Sequence, residues 1–544
     1  MKTVKLMAAA AVIIFILCSC SPGGLSSNSS ISTTENPDSQ AVKPFSLIYS
    51  ESDPLNPYTA ASLQNRQLAC LIYDPLVRMT PEFQPEYMLA SGVEQNGKSA
   101  VITMRDAYFS DGTPVTAADA VYSYNLAVSS GTAYPDQLAE IKSFTAAGDK
   151  TINVTLSKDD PYFANLLDFP IIKSGSDQIK DSNNILLPPI GSGRYVPDLD
   201  AGVLNANDSH IAGAQSVKTI TLINAPDSEV IKYNLEAGNV SIYGTDLSDG
   251  KIPSMVGNAS AVGLNHIVYL GVNMNKEILN DPTFRYALSA AIDRSSICKT
   301  AYFSYAVEAT GIFNPIWQDA KGLQNIEPAA NTQNVVAYLN KLGYNSKDAE
   351  GFFVNDSNKG ITLTFVCYSG NERRLAAARL VKEQLESAGF KVNLSELDWN
   401  GYTAALSAGN FDIYIAETKL LCNMDVTELV TPGGALAFGI PQKTIEPSDG
   451  PQPAEGDGGN EGDSADATTD EPAAPEVTTA DAVAGFYDGS LSLVDVINSF
   501  NTEMPIVPIC YRSGVTVTKA YLNADNVSSV TDVYFGIQGI MNKQ

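Results

Sequence analysis

The stretch from Ile361 to Ile415 constrains the fold more than any other part of the chain. Ile361-Thr362-Leu363-Thr364-Phe365 alternates apolar and polar residues, the period of a strand whose successive side chains face opposite sides. Leu375, Ala378, Val381, Leu385 and Ala388 then recur at helical spacing, and Gly389 suits the left-handed position that ends a helix. Val392 and Leu394 start a second strand, a helix follows near Tyr402 to Ala408, and Phe411-Asp412-Ile413-Tyr414-Ile415 makes a third strand. A crossover this long permits parallel pairing, so an α/β lobe on a wound sheet is expected.

Two further segments carry clear local signals. From Ala100 the pattern is a strand, the turn pair Asp111-Gly112, and a Thr116-Ala117-Ala118-Asp119 cap; the helix after it should bury Ala120, Val121, Tyr124, Ala127 and Val128. Asp281 and Pro282 open an amphipathic helix with Phe284, Ala287, Leu288, Ala291 and Ile292 on one face. With 544 residues the chain exceeds what one core of roughly 250–300 residues can hold, so two or three lobes are expected.

The N-terminus reads as a signal peptide over residues 1–19: Lys2 and Lys5, then an apolar run from Leu6 to Leu17, too short to span a membrane that needs roughly 20 residues. Its Leu17-Cys18-Ser19-Cys20 ending resembles the bacterial lipobox, which implies cleavage before Cys20 and a lipid on its thiol. Residues 20–40 lack periodic apolar positions and suit a flexible tether. The expected location is the outer face of the cell membrane, or its periplasmic side in a host with two membranes, held by that lipid alone.

A formal net charge of −27 argues against nucleic acid as a partner, which requires basic patches. Part of the acidity is local: from Glu446 to Asp481 there are eleven Asp or Glu and no Lys or Arg. Such a segment buries too little apolar surface to order itself, so residues 441–483 are expected to form a disordered insertion. Cys70, Cys298, Cys367, Cys422 and Cys510 show no C-x-x-C spacing and are expected as free thiols, and His210 and His266 have no ligand spacing. No metal or cofactor is expected.

Several segments together carry a resemblance: Asp53-Pro54-Leu55-Asn56-Pro57, Ile72-Tyr73-Asp74-Pro75-Leu76-Val77, the run from Phe109 to Ala120, Pro189-Ile190-Gly191-Ser192-Gly193-Arg194-Tyr195, Asn273 with the run from Phe284 to Arg294, and Glu503 to Pro508. In this order they resemble the extracellular solute-binding proteins of family 5, the peptide- and nickel-binding receptors of ABC importers. The resemblance implies an α/β fold of the periplasmic-binding-protein type II kind, with two lobes of mixed sheets, a hinge, and an extra subdomain on the first lobe. Residues 41–80, 191–265 and 506–544 would form the first lobe, 81–190 the extra subdomain, and 266–505 the second lobe bearing the insertion. It further implies a monomer that captures a small peptide or other small solute and delivers it to ABC permease subunits.

Peptide-binding relatives carry a Trp-Ser-Ala-Asp-like segment after the strand that matches Phe411 to Ala416, and its Asp pairs with the peptide ammonium. Here Glu417-Thr418-Lys419-Leu420-Leu421-Cys422-Asn423-Met424-Asp425 stands in that place. Glu417 or Asp425 can supply the carboxylate, with Lys419 and Asn423 as neighbouring contacts; alternatively Glu417 and Lys419 form a solvated pair. Arg512, beside Tyr511, is either a bidentate clamp for a ligand carboxylate or a surface arginine, and Trp399 either a ligand platform or core packing. There is no G-x-S-x-G or H-E-x-x-H, nor an S-x-x-K accompanied by its partner motifs, so catalysis is not expected. The alternatives to an importer receptor are a tethered sensor or adhesin on the same fold and an exported hydrolase.

Overall fold

The computed structural model describes residues 44–248, 253–442, 477–523 and 528–540. The signal peptide, Cys20, the tether and residues 443–476 of the acidic insertion lie outside the described residues.

The α/β unit forms as its periodicity dictates. Strands Thr362–Tyr368 and Lys391–Leu397 pair in parallel. The helix Glu372–Ala388 joins them, opened by the Asn371 cap and closed by Gly389 at φ 109°. Strand Ile413–Lys419 pairs in parallel on the other side. These strands belong to a seven-stranded sheet in the order Ile242–Thr245, Ile506–Thr518, Asn258–Val272, Ile413–Lys419, Thr362–Tyr368, Lys391–Leu397, with Ala306–Glu308 also paired to Ile506–Thr518. Strand alternation divides two cores: Val268, Leu270, Phe365, Ile413 and Val507 face one way, and Ile267, Tyr269, Val366, Tyr414 and Ile506 the other. A sheet covered on both faces explains why Ile267–Leu270 and Ile413–Ala416 read as unbroken apolar runs.

Strands Asn258–Val272 and Ile506–Thr518 pair antiparallel over most of their length, with register shifts between Gly263 and Ile267 and between Val268 and Tyr269. The expected crossing at 265/266 therefore falls inside a continuous strand, because the two lobes share one paired ribbon. The far end of that ribbon reaches Ile242–Thr245. Beside it lies a mixed four-stranded sheet in which Ser46–Tyr49 pairs in parallel with Thr219–Asn224, followed by Val203–Ala206 and Tyr195–Asp198. Residues expected as the extra subdomain carry the antiparallel sheet Ala90–Asn96, Ser99–Met104, Thr151–Leu156 and Ile141–Ala146. Its core runs on into that of the first lobe, so Ile102 and Phe144 pack in the same cluster as Leu47 and Leu222.

Two local expectations shift. In the helix Ala117–Val128, the Thr116 N–H donates to the Asp119 carboxylate at 3.0 Å as expected, but Val128 is exposed at the last turn. The acidic insertion is shorter than 441–483 at its C-terminal side, since Thr479–Tyr487 is an α-helix capped by Thr478. Ala482, Val483 and Tyr487 bury an apolar face there, which outweighs the acidic composition around them.

The segments that carried the resemblance meet in space. The Gly193 N–H donates to the Ile72 carbonyl at 2.9 Å, and the Ser192 hydroxyl to Asp74 at 3.1 Å; Asp74 also pairs with His210 Nε2 at 3.1 Å. Arg285 sits fully inside, with Nη1 donating to the Leu279 carbonyl at 2.7 Å and Nη2 to the Glu503 carbonyl at 2.6 Å. Arg294 donates to the Pro508 carbonyl at 2.9 Å. These buried guanidiniums tie the helix Pro282–Ala291 and its successor Arg294–Thr300 to the start of the strand Ile506–Thr518. Burial pushes both arginines down, to about 10, so they remain charged at neutral pH. All five described cysteines are free.

Candidate functional site

A cavity of about 390 Å³ opens between the first lobe and the end of the strand Ile413–Lys419. One wall is the helix Leu63–Ile72, which contributes Arg66 and Cys70. That helix is placed by the Asp53 segment: the Ser62 hydroxyl caps Asn65 N–H at 3.3 Å and itself donates to Asp53 at 2.6 Å. Asn65, buried, then donates to the carbonyls of Ser50 and Asp53 at 2.9 and 2.7 Å. Tyr134, Gln137 and Asp168 come from the extra subdomain, and Val530–Asp532 from the C-terminal segment. Lys419 enters from the second lobe. A second cavity of about 250 Å³ reaches the shared ribbon through His266 and Gly514, and the two meet at Arg66, Cys70, Lys419, Val530 and Thr531.

The C-terminal wall is held by Arg194. Its Nη2 contacts Asp532 Oδ2 at 2.7 Å and the Cys70 carbonyl at 2.7 Å, and its Nη1 the Tyr534 carbonyl at 2.8 Å. Arg78 adds Nη1 at 3.7 Å from the same carboxylate and stacks over Phe535 at 4.2 Å. Burial, with Asp532 nearby, pushes the Cys70 thiol up and keeps it protonated. Asp168 accepts a hydrogen bond from the Gln137 side-chain amide, and burial raises its carboxyl to about 6 against the pull of that bond and of Lys419.

Of the residues expected from sequence to touch a ligand, Lys419 alone lines these cavities. Glu417 is in a buried ion pair with Arg512 Nη1, with His266 Nδ1 at 3.5 Å. Burial opposes its ionisation, but His266 and Arg512 outweigh that and hold the carboxyl at about 2. Arg512, 7 % exposed at its side chain, also donates to the Asp246 carbonyl at 2.8 Å. It is thus neither a surface arginine nor a free clamp, and Glu417 is not in a solvated pair with Lys419. Tyr511 is fully buried and donates to the Ile312 carbonyl. Trp399 is 55 % exposed, edge-on to Tyr368 at 5.3 Å, and lines neither cavity.

Asn423 and Asp425 clasp the extra subdomain. Asn423 Nδ2 donates to Asp160 at 2.7 Å, Lys158 meets Asp425 at 2.6 Å, and Asn165 Nδ2 donates to the Cys422 carbonyl at 2.9 Å. Tyr162 reaches Asp319 at 2.7 Å. Burial raises Asp160 to about 6, only partly offset by Asn423 and the Tyr162 N–H. Among the described residues no group of three His, Cys, Asp or Glu side chains is placed to hold a metal ion.

Residues 82–419 match the family described as bacterial extracellular solute-binding proteins, family 5. The chain belongs to this family. The oligopeptide-binding protein AppA of Bacillus subtilis is 24 % identical over 436 residues, covering 76 % of this chain and 79 % of that protein. The periplasmic murein peptide-binding protein MppA of Escherichia coli is 26 % identical over 421 residues, covering 67 % and 73 %. Among solved structures, the unliganded open form of MppA superposes with a TM-score of 0.69 at 18 % identity, covering 92 % of this chain and 98 % of that one. A nickel ABC transporter protein from Bacillus halodurans gives 0.69, also at 18 % identity, covering 92 % and 99 %. The two-lobed α/β fold expected of a family 5 protein is the one observed.

Sequence reasoning missed Arg66, Asp168, Arg194 and Asp532. For Arg66 a signal existed: Asp53-Pro54 and Ser62 mark a capped helix whose first turns face the cavity. For Asp168 and Asp532 no local pattern distinguishes them from turn residues.

The carboxylates set a pH signature. Asp160 and Asp168, at about 6, lie above an ordinary Asp near 3.9, so the folded chain binds protons there more tightly than the unfolded one, and their contribution to stability rises as pH falls from about 7 to about 5. Glu417 has the opposite sign: its contribution is complete above about pH 4.5 and is lost as pH falls toward about 2. The thermal midpoint followed by circular dichroism should be higher at pH 5 than at pH 7, by a margin that shrinks in Asp160→Asn. An unchanged margin in that variant would remove Asp160 from the account.

Proposed function

We propose that this family 5 protein is the receptor of an ABC importer and that its cargo is a short peptide, bound in the cavity between the first lobe and Lys419. The observation that carries this is the cavity itself: about 390 Å³ is within the usual size of small-molecule sites, its walls come from both lobes, and polar groups converge on it. The names of AppA and MppA as peptide-binding proteins support the choice of cargo. The protein acts by binding rather than by catalysis. The two lobes close by twisting the shared ribbon, and Asn423 and Asp425 tie the segment after Ile413–Lys419 to the extra subdomain. A lipid on Cys20 and the tether at 20–40 hold the receptor near its permease subunits, which raises the effective concentration of one for the other.

Mass spectrometry of small molecules carried through mild purification should find peptides. A defined peptide pool at about a hundred times its dissociation constant should stabilise the chain by about 2.7 kcal/mol, readable as a rise in thermal midpoint. No co-purified peptide and no shift with any pool would refute the cargo.

A further inference from the structure

The charged groups around the two joined cavities fall into two classes. Most are already neutralised. Arg194 is paired with Asp532, Arg78 with Glu86 at 2.8 Å, Asp74 with His210, and His266 sits against Glu417. Arg66 and Lys419 are different: both are exposed, both line the boundary the cavities share, and neither has a side-chain hydrogen bond or ion pair among the described residues. Arg66 also lies in the first turns of the helix Leu63–Ile72, where the helix dipole adds positive potential. Against these two cations the joined cavities offer two carboxyls without a direct ion pair: Asp168 in the larger cavity, and in the smaller one Asp246, whose carboxylate accepts the Ser248 N–H at 2.9 Å. In a chain of net charge −27, two cations without a direct ion pair at a cavity between the lobes, felt by Asp53 and Asp168 only at longer range, are the reverse of what composition alone would put there.

We propose that the cavity selects acidic cargo, and specifically short peptides bearing a carboxylate beyond the C-terminal one: Arg66 and Lys419 each take a carboxylate, and Asp168 takes the peptide ammonium. The proposal rests on the peptide reading above. Guanidinium and ammonium groups held at a partly enclosed boundary make charge-assisted bonds to carboxylates that are about twice as strong as neutral ones. Asp168 prevents the site from being a general anion trap, because a dianion without an ammonium leaves that carboxyl facing it unpaired. A cationic side chain would instead face Arg66 and Lys419 and meet repulsion.

Isothermal titration of the purified chain with alanyl-alanyl-glutamate, tri-alanine and alanyl-alanyl-lysine tests this, with glutarate as a dicarboxylate lacking the peptide. The glutamate peptide should bind about tenfold tighter than tri-alanine, and the lysine peptide more weakly still, with the difference shrinking at high salt. Arg66→Gln and Lys419→Met, each checked for an unchanged circular dichroism spectrum, should each narrow the tenfold gap between the glutamate peptide and tri-alanine to about threefold or less. Equal binding of all three peptides overturns the acidic selection and leaves the peptide reading intact. Binding of glutarate with no binding of any peptide overturns the role given to Asp168 and, with it, the peptide reading. No binding of any of the four refutes both. The wild-type peptide series decides the matter even where a variant fails to fold.

Discussion

Gly193→Ala should cost the first lobe at least about 3 kcal/mol, the upper end of overpacking, or prevent its folding outright. A Cβ at this position would stand 2.4 Å from the Ile72 carbonyl carbon, 2.6 Å from its oxygen and 2.7 Å from the Leu71 oxygen. All three are backbone atoms in the last turn of the helix Leu63–Ile72, so no rotamer change relieves the clash. The Gly193 N–H bond to Ile72 fixes the two chains at that separation, and the same helix presents Arg66 to the cavity. Displacing it should therefore weaken ligand binding as well as stability. Gly131→Ala is the control, since a Cβ there meets nothing within 4 Å; it should stay within about 0.5 kcal/mol of the parent. Urea unfolding followed by tyrosine fluorescence measures both, and comparable midpoints for the two variants would show that the close approach can relax.

Arg194→Met should destabilise by about 3–5 kcal/mol, the usual cost of removing one partner of a buried ion pair. The two side chains are 4 % and 5 % exposed, so the methionine variant leaves a largely buried Asp532 carboxylate with only Arg78, at 3.7 Å, as counter-charge. It also frees the carbonyls of Tyr534 and Cys70. The double variant Arg194→Met with Asp532→Leu should recover a good part of the loss, because apolar groups of similar volume in place of a buried pair are often tolerated. Limited proteolysis adds a positional readout: cleavage within 528–540 should accelerate in the single variant and slow again in the double. If the single variant unfolds at the same denaturant concentration as the parent, the pair does not hold the C-terminal wall.

How far this molecule could be read from its sequence depended on the distance over which each feature is determined. The unit from Ile361 to Ile415 is legible because periods of two and 3.6 are local, and Gly389 and Asn371 mark the helix ends within a few residues of it. The helix Pro282–Ala291 is legible for the same reason. The helix at Thr479 was hidden because the acidic composition before it dominates any window that includes both. With the Trp-Ser-Ala-Asp-like segment absent, its carboxylate role was assigned to Glu417 and Asp425, which the fold pairs with Arg512 and Lys158 through contacts that no local pattern announces. Lys419, two residues along the strand from Glu417, does reach the cavity. Arg194 and Asp532 lie 338 positions apart, and no local pattern announces such a partner.

That separation also sets an order of events during synthesis. A ribosome delivers Arg194 long before Asp532, so the guanidinium lacks its direct ion-pair partner until 338 further positions have been made. The strand Ile506–Thr518, which completes the central sheet against Asn258–Val272, arrives equally late. Contacts of such long range are slow to form, because loop closure must precede any gain from them. A nascent chain of this design therefore has no finished cavity and no closed first lobe until Ile506–Thr518 and Asp532 have both been made.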